Sequence, residues 1–169
     1  MTQRVRLRDG SEVVIRPLLP ADRDAYLDTV RRVGEESRRR RFLGPKPSLS
    51  EAEIRYFVEV DHHDHEALIA FDALTGRGLG VARFIRERRD PSSADSAVTV
   101  VDAAQGHGLG GVLLARIAER AREEGVEHLH ADVALDNRPM LEMLRHRGAR
   151  ARPCDDWPGV RCFDIPLTA

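Results

Sequence analysis

The stretch from Ala97 to Leu114, AVTVVDAAQGHGLGGVLL, constrains this chain more than any other. It opens as an apolar, β-branched run, Val98-Thr99-Val100-Val101, suited to a buried strand. A glycine-dense turn follows, Gly106-His107-Gly108-Leu109-Gly110-Gly111, and then a helical pattern begins. Glycines allow backbone N–H groups to approach a ligand closely, and a first helical turn offers unpaired donors carrying partial positive charge. The expected ligand is an anion, a phosphate or pyrophosphate.

Three glycine loops compete for this pattern. A nucleoside-triphosphate loop needs Gly-Lys-Ser/Thr at its end, and this one ends Gly110-Gly111-Val112. Gly106, Gly108 and Gly111 fit the dinucleotide fingerprint G-x-G-x-x-G, and Asp132 stands where a ribose-binding acid would. That fingerprint belongs near the start of its unit, however. Here it falls past the midpoint of 169 residues, leaving too little chain for the remaining strands and helices. The third pattern, Gln105-x-x-Gly108-x-Gly110, resembles the pyrophosphate loop of the Gcn5-related N-acetyltransferases. Asn137, shortly before Met140, Leu144 and Gly148, resembles that family's next landmark, an asparagine opening the following helix. The order of segments agrees from Ile15-Arg16-Pro17 to the end. Glu36-Ser37-Arg38 to Phe42 and Val60-Asp61-His62-His63-Asp64-His65 look closest to the bacterial protein-lysine acetyltransferases.

The resemblance implies an acetyl-CoA-dependent N-acetyltransferase that transfers acetyl directly to a primary amine, with a protein lysine as the favoured acceptor. Main-chain N–H groups of Gln105, Gly106, His107, Gly108, Leu109, Gly110 and Gly111 would hold the pyrophosphate of coenzyme A. Val98 and Val100 would present main-chain groups to the pantetheine arm, with Asn137 near its sulfur. In the lysine acetyltransferases a glutamate base sits on the strand that ends in the glycine loop. The matching residue here is Asp95, one methylene shorter and with a lower reference pKa, ~3.9 against ~4.3. The proton acceptor is therefore Asp95 directly, Asp95 through water, or one of Glu66, Glu87 and a neighbouring histidine. Many relatives carry a tyrosine seven residues after the asparagine to protonate the leaving thiolate. Leu144 occupies that place, and no dedicated general acid is expected, since a thiol of pKa ~8.5 leaves readily.

Other function classes remain: acetylation of a small amine or amino acid, or a non-catalytic acyl-CoA-binding module. A formal net charge of −1 argues against a nucleic-acid partner. No apolar run approaches the ~18 residues of a membrane span, and Met-Thr-Gln-Arg-Val-Arg is no signal peptide, so a cytoplasmic protein is expected. Cys154 and Cys162 are spaced for a hairpin disulfide, but without an export signal two reduced thiols are the expectation. Asp61-His62-His63-Asp64-His65 invites a metal, yet adjacent positions seldom converge on one centre, and no metal is expected. The oligomeric state, a homodimer included, stays open.

Taken in order, Val5–Leu7 and Val13–Ile15 flank Asp9-Gly10 as a hairpin. Ala25, Leu27 and Val30 give a helix ending at Gly34. A local charge excess of +5 over Arg31–Pro47 faces −5 over Glu51–Glu66, suggesting two solvated helical faces that pair, or a basic surface for an acidic partner or the coenzyme's 3′-phosphate. Ser50 and Glu53 form a capping box for a helix with Ile54, Phe57 and Val58 inward. A second hairpin spans Glu66–Leu74 and Leu79–Arg86. After the glycine helix come a strand at His128–Leu135, a short helix from Asn137, and two strands around Trp157-Pro158-Gly159. The sum is one α/β (α+β) domain over 1–169, a mixed central sheet with helices on both faces.

Overall fold

In the computed structural model, residues 2–154 and 157–167 are described; Asp155 and Asp156, ahead of the expected final turn, lie outside them. An eight-stranded sheet runs in the order β1-β2-β3-β4-β5-β6-β8-β7. Its strands are β1 (Gln3–Arg6), β2 (Glu12–Pro17), β3 (His65–Asp72), β4 (Gly78–Arg86), β5 (Ser93–Val100), β6 (His128–Ala134), β7 (Arg150–Arg152) and β8 (Val160–Pro166). Both expected hairpins form, β1–β2 and β3–β4. All pairings are antiparallel except β5–β6, which requires a crossover helix between its strands. That helix is α4 (Leu109–Glu123), launched by the glycine turn.

Alternation along the central strands separates two cores. Leu68 and Ala70 of β3 and Ala82 and Phe84 of β4 point to one face, where they pack with Leu109, Leu113, Leu114 and Ile117 of α4. Leu144 of α5 (Arg138–His146) joins the same cluster. Ala67, Ile69 and Val81 point to the other face. There they meet Tyr26 of α1 (Arg23–Arg31) and Ile54 and Val58 of α3 (Glu51–Val58). The capping box at Ser50 and Glu53 is present, its hydroxyl accepting from the Glu53 N–H at 3.2 Å. Helices on both faces of a mixed sheet are therefore what the chain forms.

Two expectations change. Cys154 and Cys162 are joined as a disulfide with Cα atoms 5.5 Å apart, not reduced. The β7–β8 ladder opposes Arg152 to Cys162 and so carries Cys154, two residues on, into reach. The charged blocks also pair differently. Lys46 and Glu53 form one link between them, but Arg39 and Arg40 of α2 (Glu35–Phe42) reach Asp136, at the start of α5, instead. Those contacts tie α2 across the mouth of the cleft described next. No helix among the described residues is long and apolar enough to cross a membrane.

Candidate active site

The site begins where two strands part. β5 and β6 pair only from Ser93↔His128 to Asp95↔His130, yet β5 continues to Val100 and β6 to Ala134. The Ser96 hydroxyl donates to the His130 carbonyl at 2.8 Å and closes the paired section. Beyond it the strands diverge around a cleft of about 1230 Å³. Val101 donates its N–H to Leu79, so alternation turns the main-chain groups of Ser96, Val98 and Val100 away from β4 and into the gap. The Gln105 amide takes the Val100 carbonyl at 3.1 Å, and the Ser37 hydroxyl of α2 lies 3.2 Å from the same nitrogen.

At one end of the cleft stands the glycine turn. Gly106 and Gly108 take φ of 81° and 94°, a left-handed backbone that side-chain-bearing residues seldom adopt. Among the described residues, the N–H groups of Gly106 through Gly111 have no carbonyl partner; Val112, bonded to the Gly108 carbonyl, is the first that does. Gln105 departs from expectation: its N–H is committed to the Asp102 carbonyl at 3.2 Å. His107 turns its ring to Asp9, 3.3 Å away, and Leu109 is buried in the core, so both contribute main chain alone. Arg8 lies against Gly108, where a Cβ would meet its Nε at 3.4 Å. Arg147 donates to the Gly111 carbonyl at 2.5 Å. These two guanidinium groups line the cleft beside the open N–H groups and carried no sequence signal. The cradle of donors and cations fits a diphosphate. Asn137 caps α5 by accepting from the Met140 N–H at 3.4 Å and also lines the cleft.

At the other end lies a group of side chains. Asp95, Glu87 and His130 have ligand atoms within 4.8 Å of one another, and His130 Nδ1 is 2.5 Å from a Glu87 oxygen. Asp95, exposed to the cleft, is held above the ordinary carboxylate range by partial desolvation and by the charges of Glu87 and Asp132. Such an acid is poised to accept a proton nearer neutral pH. Glu66 is no rival for that task. It is 1 % exposed and bonded to His62, Arg120 and the Ala67 N–H. The three histidines of the 61–65 run diverge to Glu66, Glu124 and Arg83. Leu144 is fully buried, and it places no hydroxyl in the cleft.

Comparison with known proteins agrees with this geometry. Residues 33–149 match the acetyltransferase (GNAT) family. Acetyltransferase Pat of Mycolicibacterium smegmatis is 32% identical over 145 residues, covering 86% of this chain and 43% of that protein, so the chain spans under half of this relative's length. The GNAT domain of S. lividans PAT superposes with a TM-score of 0.90 at 28% identity, covering 98% of this chain and 96% of that one. The structure of yncA from Salmonella typhimurium, solved with its cofactor acetyl-CoA, superposes at 0.70 and 17% identity over 92% of this chain and 94% of that one. At that identity it speaks to the fold alone.

Proposed function

The chain belongs to the acetyltransferase (GNAT) family, and from that premise we infer that it moves the acetyl group of acetyl-CoA directly onto a primary amine, a protein lysine being the favoured acceptor. The observation that carries this reading is one continuous cleft, with the open N–H groups of Gly106 to Gly111 at one end and Asp95 at the other. Acetyl-CoA supplies an activated acyl thioester. Gly106 to Gly111, Arg8 and Arg147 would hold its diphosphate, while the Val98 main chain and the Val100 N–H would face its arm along the β5–β6 gap. The lysine preference is supported by likeness to Pat and by the breadth of the cleft.

A lysine ammonium at pH 7 must lose its proton before attack, at a cost of roughly 4–5 kcal/mol. Asp95 receives that proton, and its raised pKa makes it a stronger base than an ordinary aspartate. The His130–Glu87 pair stands beside it, within 4.8 Å, and the charge of Glu87 helps to keep the Asp95 pKa raised. The N–H of Val98, turned into the gap, is placed to donate to the thioester oxygen as it becomes negative. No acid is required for the leaving thiolate. The reading is tested by mixing the purified chain with acetyl-CoA and lysine peptides, free amino acids and simple amines. Release of free thiol with peptide acetylation supports it; no thiol release with any amine refutes it.

A further inference from the structure

Beneath the cleft, between α1, α2 and the sheet, lies a recess of about 30 Å³ that opens into it. Its wall carries three arginines, Arg38 and Arg41 from α2 and Arg83 from β4, together with Tyr26 and, among the described residues, no carboxylate. Arg83 is 4 % exposed; one of its nitrogens donates to the Phe57 carbonyl at 3.1 Å and to His65 at 2.9 Å. His65 accepts that bond in its neutral form, its pKa pushed down to about 4 by burial and by Arg83. Arg38 donates from Nη1 to the Pro47 carbonyl at 3.2 Å, while among the described residues its Nε is buried with no partner. Arg41 makes no ion pair among the described residues and rests only on the ring of Phe42, 5.0 Å from its centroid. Desolvation and the charge of Arg83 push Arg41 down to about 10. Glu53, the acid that bears on Tyr26, is occupied by Lys46 and by the Ser50 cap.

Like charges gathered in a partly dry recess repel one another, and native proteins rarely keep them without an anion. The recess also opens on the acceptor's side of the chemistry. Arg41, Arg83, Ala97 and Thr99 line both the recess and the cleft. Arg83 stands opposite Ala97, on the same sheet face as Asp95 and two residues along from it, roughly 7 Å at strand spacing. We propose that the recess lined by Arg38, Arg41 and Arg83 seats a carboxylate of the amine acceptor. That separation suits a carboxylate several bonds from the reacting amine. A lysine's own α-carboxylate meets the requirement, as does an acidic side chain beside the acceptor lysine. An α-amino acid acetylated at its own α-amine does not.

The inference rests on the acetyl-transfer reading, so its test has one arm independent of turnover. In that arm, thermal melts are compared in sodium formate and in sodium chloride, whose monatomic anion cannot make a carboxylate's two-oxygen contact with guanidinium groups, at equal ionic strength. Formate raises the melting temperature of the wild type by a saturating increment, and Arg41→Gln loses the increment. In the second arm, kcat/KM with acetyl-CoA is measured for Nα-acetyl-lysine against its methylamide, and for lysine peptides with Glu against Gln beside the lysine. The carboxylate partner is favoured by about tenfold in at least one pair, and the ratio falls towards one in Arg41→Gln. Preference in the first pair alone identifies a small-molecule acceptor, and in the second alone a protein. Turnover without preference overturns the recess while leaving acetyl transfer standing, and a formate response then marks an adventitious ion only. A formate response lost in Arg41→Gln, with no turnover of any amine, keeps the anion seat and removes the transfer reading. Equal melts in both salts, with no acceptor preference, overturn the proposal outright.

Discussion

The two ends of the cleft are built by different means. The end we assign to the diphosphate is built chiefly from one contiguous run and presents main chain, the N–H groups of Gly106 to Gly111 with positive φ at Gly106 and Gly108, flanked by the Arg8 and Arg147 side chains. The end we assign to the acceptor comes from side chains delivered by separate elements: Arg38 and Arg41 from α2, Arg83 from β4, Asp95 from β5 and His130 from β6. A site made of backbone depends on conformation and tolerates many side chains. A site made of side chains depends on which groups stand there and on their charges. Substitutions at the two ends should therefore fail in different ways.

The largest expected effect is at the side-chain end. Asp95→Asn lowers kcat/KM by about 10²–10⁴ and removes the acidic limb of the pH–rate profile, while coenzyme affinity stays as it was. An unaltered pH profile would take Asp95 out of the mechanism. At the backbone end, Gly108→Val forces a β-branched residue into a left-handed conformation at φ 94°. It turns the loop's N–H groups aside and weakens coenzyme A by ~100-fold in calorimetry, about 2.7 kcal/mol. The core is untouched, so the melt remains cooperative. If Gly108→Val bound the coenzyme normally, the contrast between the two ends would fall.

The contrast also explains what could be read in the sequence. The glycine loop, both hairpins, the Ser50–Glu53 cap and the α4 face were legible because each is written in neighbouring residues. The Arg41–Arg83 pairing was not, because α2 and β4 lie about forty positions apart and only the folded sheet brings them together. Arg38 to Arg41 read as a solvated basic run, yet two of them line a recess and two hold Asp136 across the cleft. Arg8 and Arg147 escaped notice for the same reason: β1's trailing loop and the end of α5 meet the glycine turn only in three dimensions. His130 was not singled out in the sequence, which offered only a neighbouring histidine, since its meeting with Asp95 depends on the parallel β5–β6 register. The Cys154–Cys162 bond was visible as a spacing, but an expected compartment argued against it.

Two smaller effects sharpen the comparison. The disulfide closes a short loop, with a sequence separation of 8, that carries Trp157 on the cleft wall but no part of the glycine turn, so reduction should cost roughly 2–3 kcal/mol of stability and leave coenzyme affinity unchanged. Denaturant melts with and without reductant measure it. Glu87→Gln removes one of the charges that hold Asp95 above its ordinary range. A lowered Asp95 pKa means the base stays ionised to lower pH, so the acidic limb of kcat/KM moves downward. An upward move would show that Glu87 does not act on Asp95 through its charge.

The central claim is that the main chain from Gly106 to Gly111 grips a diphosphate, and amide NMR reads those groups one by one. Titration with coenzyme A should shift the resonances of Gly106, His107, Gly108, Leu109, Gly110 and Gly111, whereas pantetheine, which has no diphosphate, should leave them in place. Coenzyme A that binds without moving them, or does not bind at all, would contradict the account.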